Sequence, residues 1–194
     1  MVALKMGQAK TLNEKEFKRV LAIVATTRYA ERDRMVLLMS FWGGLRVGEI
    51  AALRIGDVVG ADGSIKQQFT LTPEQTKGNK PRTVMVAEKL RKELASYVAG
   101  LKHKDPKRAL FGSQRSRDGF SANTLCKRMN HLFALAGIDG ASSHSGRRTF
   151  ITTLANKGVG VRVLMALAGH RNIGTTQRYI DLNDELVKVA VNLI

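Results

Sequence analysis

Apolar positions three and four apart dominate this chain and predict a mostly helical protein. In the stretch beginning Thr11-Leu-Asn-Glu14, Phe17, Val20, Leu21 and Val24 recur at helical spacing behind a capping-box pattern. A second helix is expected over residues 30–42, stopped by Gly43-Gly44, and a short third over 47–53. The pattern changes between Ile55 and Val86. There IGDVV, SIKQQFTLT and RTVMVA read as three short strands, parted by Ala61-Asp62-Gly63 and by Lys77-Gly78-Asn79-Lys80-Pro81. Helical spacing resumes over 88–98, 122–136, 147–156, 161–168, 175–180 and 185–193. The expected fold class is therefore α+β, mostly helical, with a small three-stranded antiparallel sheet. No internal repeat or long linker divides it.

Composition narrows the function classes. The 194 residues carry 32 Lys+Arg against 16 Asp+Glu, a net charge of +16 and a pI near 10.5. Residues 106–180 concentrate the excess, with only Asp118 and Asp139 against twelve basic side chains. Such a stretch attracts phosphate backbones by counterion release, so a polyanion is the expected partner. Scarce carboxylates leave little to hold two catalytic metal ions, and Cys126 is the single cysteine. No metal or cofactor is expected. The lone cysteine and the absence of a hydrophobic signal core in MVALKMGQAK suit a reducing cytoplasm. The longest apolar run, MVLLMSFW, is too short for a membrane span.

Four stretches can carry chemistry on phosphate. Gly43-Gly-Leu-Arg46-Val-Gly-Glu49 puts a cation at a helix start, where it can hold a phosphate oxygen; taken alone, an Arg46–Glu49 pair one turn apart explains it as well. Thr76-Lys77-Gly-Asn-Lys80-Pro-Arg82 reads as a hairpin tip, either a solvated turn or lysines able to enter a DNA groove and protonate a leaving oxygen. His144-Ser-Gly-Arg147-Arg148 sets His144 and Arg147 three apart, on one side of a helix. Two such cationic groups make sense together around an anion. Gly146 between them implies close backbone approach or tolerance near a helix start. Ala168-Gly-His170-Arg171-Asn-Ile-Gly-Thr-Thr-Gln-Arg178-Tyr179 ends one helix and begins another. Tyr29 and Tyr97 sit in amphipathic helices as packing residues. Tyr179 has cationic neighbours, and a phenol needs a base or strong positive potential to act as a nucleophile; taken alone, a core anchor explains it better.

In order and spacing these boxes resemble the tyrosine recombinase family, the phage-integrase group. GGLRVGEIAALRIGDV, TKGNKPRTV, HSGRRTFITTLANKG and LMALAGHRNIGTTQRYID carry the likeness, which runs from about residue 10 to 181. The resemblance implies a site-specific recombinase or integrase that cuts and rejoins DNA through a 3′-phosphotyrosyl link, without metal or ATP. It implies catalytic roles for Arg46, Lys77, His144, Arg147, His170 and the nucleophile Tyr179. Glu49 and Arg148 become supports, and Lys80, Arg82, Arg171 and Arg178 DNA contacts. Double-stranded DNA and self-association on it are the implied partners. Residues 1–10 are expected as a leader, 11–183 as the catalytic domain and 184–194 as a helix able to dock on a neighbouring subunit. The N-terminal clamp domain usual in the family is expected to be absent, leaving weak, salt-dependent binding. A type IB topoisomerase-like enzyme and a non-catalytic DNA-binding regulator are the alternatives. Gly146 and Ala168 depart from the family pattern, where bulkier apolar residues are common.

Overall fold

The computed structural model describes residues 8–113, 118–180 and 191–192. Its centre is α2 (Ala30–Phe41), in which every residue from Met35 to Phe41 is buried. A helix buried on all sides must be the one the others wrap, and α1 (Glu14–Ala25), α3 (Val47–Ala52), α5 (Glu88–Ala99) and α7 (Ser145–Asn156) all pack on it. Val20 and Val24 of α1 and Leu90, Leu94 and Val98 of α5 supply apolar stripes at four-residue spacing. The helix α6 (Ala122–Leu135) closes the core against α1 and α3. The capping box of α1 lies two residues beyond the expected one, with Asn13 and Glu16 exchanging side chain-to-backbone bonds of 2.9 and 3.0 Å.

The sheet has two strands, not three. β1 (Gln68–Leu71) pairs antiparallel with β2 (Arg82–Met85), Phe69 opposite Val84 and Leu71 opposite Arg82, with Phe69, Leu71 and Val84 turned to the core. The IGDVV segment instead forms a one-turn helix, α4 (Ile55–Val58). Asp57 decides this: its carboxylate accepts the Arg54 amide at 2.8 Å, capping the turn, and Ile55 and Val58 then bury themselves at helical rather than alternating spacing. The expected ladder survives only as one bridge between Val59 and Ile65.

Two short helices complete the described fold, α8 (Val161–Ala168) and α9 (Ile173–Gln177). The helix α9 ends before Tyr179, so this tyrosine lies just past it and not within it. Two glycines set how these elements meet. A Cβ on Gly146 would lie 2.5 Å from Ser40 Oγ and 2.7 Å from Phe41 Cδ2, so the start of α7 packs on α2 at backbone distance. Gly44 has φ +65° and would meet Phe150 at 2.5 Å, which makes it both a turn and a contact that only glycine permits. Among the described residues no helix is long and apolar enough to cross a membrane. The expected helix over 185–193 lies outside the described residues, save 191–192.

Candidate active site

The site grows from the end of α2. The Gly43-Gly44 turn brings Arg46 to the start of α3, and Glu49 one turn later is buried with 1% exposure. Its carboxylate accepts the Arg46 amide at 2.8 Å, pairs with Arg46 Nη1 at 2.8 Å, and takes Arg82 Nη2 and Nε at 2.9 and 3.2 Å. Burial pushes the Glu49 pKa up, but the Arg82 charge and hydrogen bonds, joined by Arg46, outweigh it and hold the carboxyl below its usual range. Arg82 Nη1 also donates to the Leu167 carbonyl at 2.8 Å. The sequence suggested Arg82 as a DNA contact. In the fold its guanidinium is a mostly buried strut between β2, α3 and α8.

Arg147 is 6% exposed. It donates to the Gly44 carbonyl at 2.7 Å and to the Ala168 carbonyl, tying α7 to the turn before α3 and to the end of α8. Burial, then the Arg46 and Arg82 charges, pull its pKa down to about 9, and it remains a cation at neutral pH. His144 is the residue capping α7, exposed at the cavity edge, while Arg147 reaches inward; both line the cavity. Arg148 donates to the Ala9 carbonyl at 2.9 Å, and its guanidinium lies 5.9 Å from the centre of the Tyr179 ring.

The turn between α8 and α9 places His170. Its Nδ1 bonds the Thr176 hydroxyl at 2.9 Å, and its ring stacks on Tyr179 with centroids 5.9 Å apart. Burial and the charges of Arg147, Arg46 and Arg82 lower its pKa to about 4. At neutral pH His170 is therefore a neutral donor, not a fourth cation. Thr176 is wholly buried and fixes which ring nitrogen is left for a ligand. No sequence signal singled it out, since its six-residue separation from His170 crosses a turn and a helix start. Tyr97 is the contrast: its hydroxyl donates to the Leu110 carbonyl, and burial raises its pKa to about 12.

Arg46, His144, Arg147, Arg148, His170, Arg178 and Tyr179 line one cavity of about 410 Å³. Lys77, Lys80, Arg82 and Arg171 line a second of about 490 Å³, which shares Arg46, His170 and Thr175 with the first. Lys77, Lys80, Arg171 and Arg178 are exposed. Among the described residues no group of three or more His, Cys, Asp or Glu side chains is placed to hold a metal ion. Fixed guanidinium groups facing an open space suit an anion whose charge grows during reaction.

The model of the phage integrase family matches residues 10–185. The chain belongs to that family. It is 28% identical over 182 residues to the tyrosine recombinase XerA of Pyrococcus furiosus, covering 94% of this chain and 60% of that relative. The crystal structure of a XerA recombinase superposes with a TM-score of 0.73 at 28% identity, covering 95% of this chain and 64% of the other. A Tn1549 transposon integrase in complex with a circular intermediate DNA shares the integrase fold at TM-score 0.73 and 16% identity, covering all of this chain and 68% of that one. The chain thus spans about 60% of the length of the curated XerA relatives it matches.

Proposed function

We propose that this chain is the catalytic part of a tyrosine-type site-specific recombinase that cuts and rejoins double-stranded DNA. The observation that carries the proposal is the convergence of Arg46, Arg147, His170 and Tyr179 on one cavity from three separate parts of the sequence. Arg46 and Arg147 hold the non-bridging oxygens of the scissile phosphate, and neutral His170, its Nδ1 engaged by the Thr176 hydroxyl, takes the tautomer that donates from Nε2. Tyr179 Oη attacks phosphorus as His144 takes up the phenolic proton. The P–O5′ bond breaks, Lys77 gives a proton to the departing oxygen, and DNA remains joined to Tyr179 through a 3′-phosphotyrosyl bond. Attack by another strand's 5′ hydroxyl reverses these steps, and the stored phosphodiester energy makes ATP unnecessary. Glu49 and Arg148 position the arginines and the tyrosine, and exposed Lys80, Arg171 and Arg178 face the DNA.

The same reading takes residues 11–183 as the catalytic domain, with 184–194 docking on a neighbouring copy so that assembly and cleavage are linked. It places the protein in a cytoplasmic compartment, which the free thiol of Cys126 suits. The test is incubation with a pool of nicked suicide duplexes in EDTA and without ATP. An SDS-resistant protein–DNA complex is expected. A complex that forms only when magnesium is supplied would contradict the proposed chemistry.

A further inference from the structure

Lys77 rides on the loop between β1 and β2, and that loop is closed on itself by local bonds. Thr76 Oγ1 donates to the Lys80 carbonyl at 2.7 Å and accepts the Lys80 amide at 3.2 Å, while the Asn79 amide donates to the Thr76 carbonyl at 3.2 Å. These bonds shape the tip without orienting it on the domain. Gln75, two residues before Lys77, is tied to the domain through its Nε2 to the Ala52 carbonyl at 3.1 Å and the Asp57 carboxylate at 2.7 Å. The tip beyond it is held by Arg171, next to His170, whose guanidinium donates across the second cavity to the Gly78 carbonyl. Its Nη2 end lies against the glycine: a Cβ there would stand 2.6 Å from Nη2 and 3.0 Å from Cζ. The base of β2 is pinned separately, through Arg82 to Glu49 and Leu167.

We propose that Arg171 is the positioning residue for Lys77, latching the lysine loop to the turn that carries His170 so that both flank the same phosphate. The latch rests on Lys77 being the acid for the leaving oxygen. An exposed lysine on an untethered tip samples many placements, and misplacing a reacting group by about 1 Å can cost on the order of a hundredfold in rate. The guanidinium fork can hold a carbonyl on one edge while its charge remains available to DNA. Arg171 thereby acts through Lys77 rather than on the reacting atoms.

The test compares normal DNA with a duplex whose bridging 5′ oxygen is replaced by sulfur, a leaving group that departs without protonation. The cleavable sequence is first recovered by sequencing DNA trapped by the unaltered chain from a randomised suicide pool. Lys77→Ala is expected to cut oxygen DNA about a hundredfold more slowly and sulfur DNA at close to the unaltered rate. Arg171→Ala should lose about tenfold on oxygen DNA and recover on sulfur, with Gly78→Ala reproducing it because the methyl displaces the guanidinium. In the free proteins, hydrogen exchange in residues 76–80 should quicken severalfold in Arg171→Ala. If Lys77→Ala is not rescued by sulfur, the acid assignment and the latch fall together. If Lys77→Ala is rescued but Arg171→Ala loses equally on both duplexes, or loses nothing, the latch alone falls. Unchanged exchange in residues 76–80 also overturns it.

Discussion

The two halves of the candidate site are built in opposite ways. Glu49, Arg82 and Arg147 are buried or nearly so, Arg46 partly, and their hydrogen bonds end on the Glu49 carboxylate and on carbonyls of α8 and of the turn before α3. Lys77, His144 and Arg171 stand exposed on turns and helix ends. In the proposed mechanism the first group meets charge at a fixed point, which favours preorganisation, while Lys77 and His144 of the second exchange protons with a long substrate that must enter and leave, which favours exposure. Sensitivity to substitution should follow this division.

Arg147→Ala attacks the buried half and carries the largest expected effect. Cleavage should fall on the order of a thousandfold, and the Gly44 and Ala168 carbonyls lose a partner at about 1–3 kcal/mol each. Single-turnover cleavage and chemical denaturation measure the two losses, and Arg147→Lys should recover little, since one ammonium cannot replace the fork. Glu49→Gln follows. Removing the buried carboxylate leaves Arg46 and Arg82 facing one another, destabilising the fold by about 3 kcal/mol by the same denaturation assay, whereas Lys77→Ala should leave stability unchanged.

Acid should weaken the buried half from two directions. Glu49 has a depressed pKa, so its stabilising contribution is present above the unfolded value of 4.5 and is lost as pH falls through the lower folded value. His170 refuses a proton in the fold that the unfolded imidazole accepts, so stability declines as pH drops from 6.5 towards about 4. An NMR titration should place the His170 midpoint near 4; a midpoint near 6.5 would show that burial and the arginine charges act on the ring less than the geometry requires. The smallest effect belongs to the exposed half. Lys80→Ala should lower the salt dependence of DNA binding by about one counterion and weaken binding uniformly across sequences, as measured by filter binding over a salt series.

The exposed half was the more legible in the sequence. Lys77, His144 and Arg171 each lie in a short box whose residue types and order carry the family resemblance, so they could be singled out locally. The buried half was less so, because its bonds join residues far apart in sequence. Glu49 and Arg82 are thirty-three positions apart, and nothing local reveals that Arg82 turns inward. Gly146 was readable as a sign of close approach, though not that Ser40 and Phe41 would be its neighbours. The α4 segment misled because Val58-Val59 favours a strand by composition, while the Asp57 cap and burial at helical spacing outweigh that preference.

The account stands or falls on Tyr179 as the atom that takes the DNA. Digesting the trapped complex and locating the nucleotide-bearing peptide by mass spectrometry tests this directly. The phosphodiester remnant is predicted on Tyr179, with no trapped complex from Tyr179→Phe. A remnant on any other side chain, or a complex of unchanged yield from the phenylalanine variant, would contradict it.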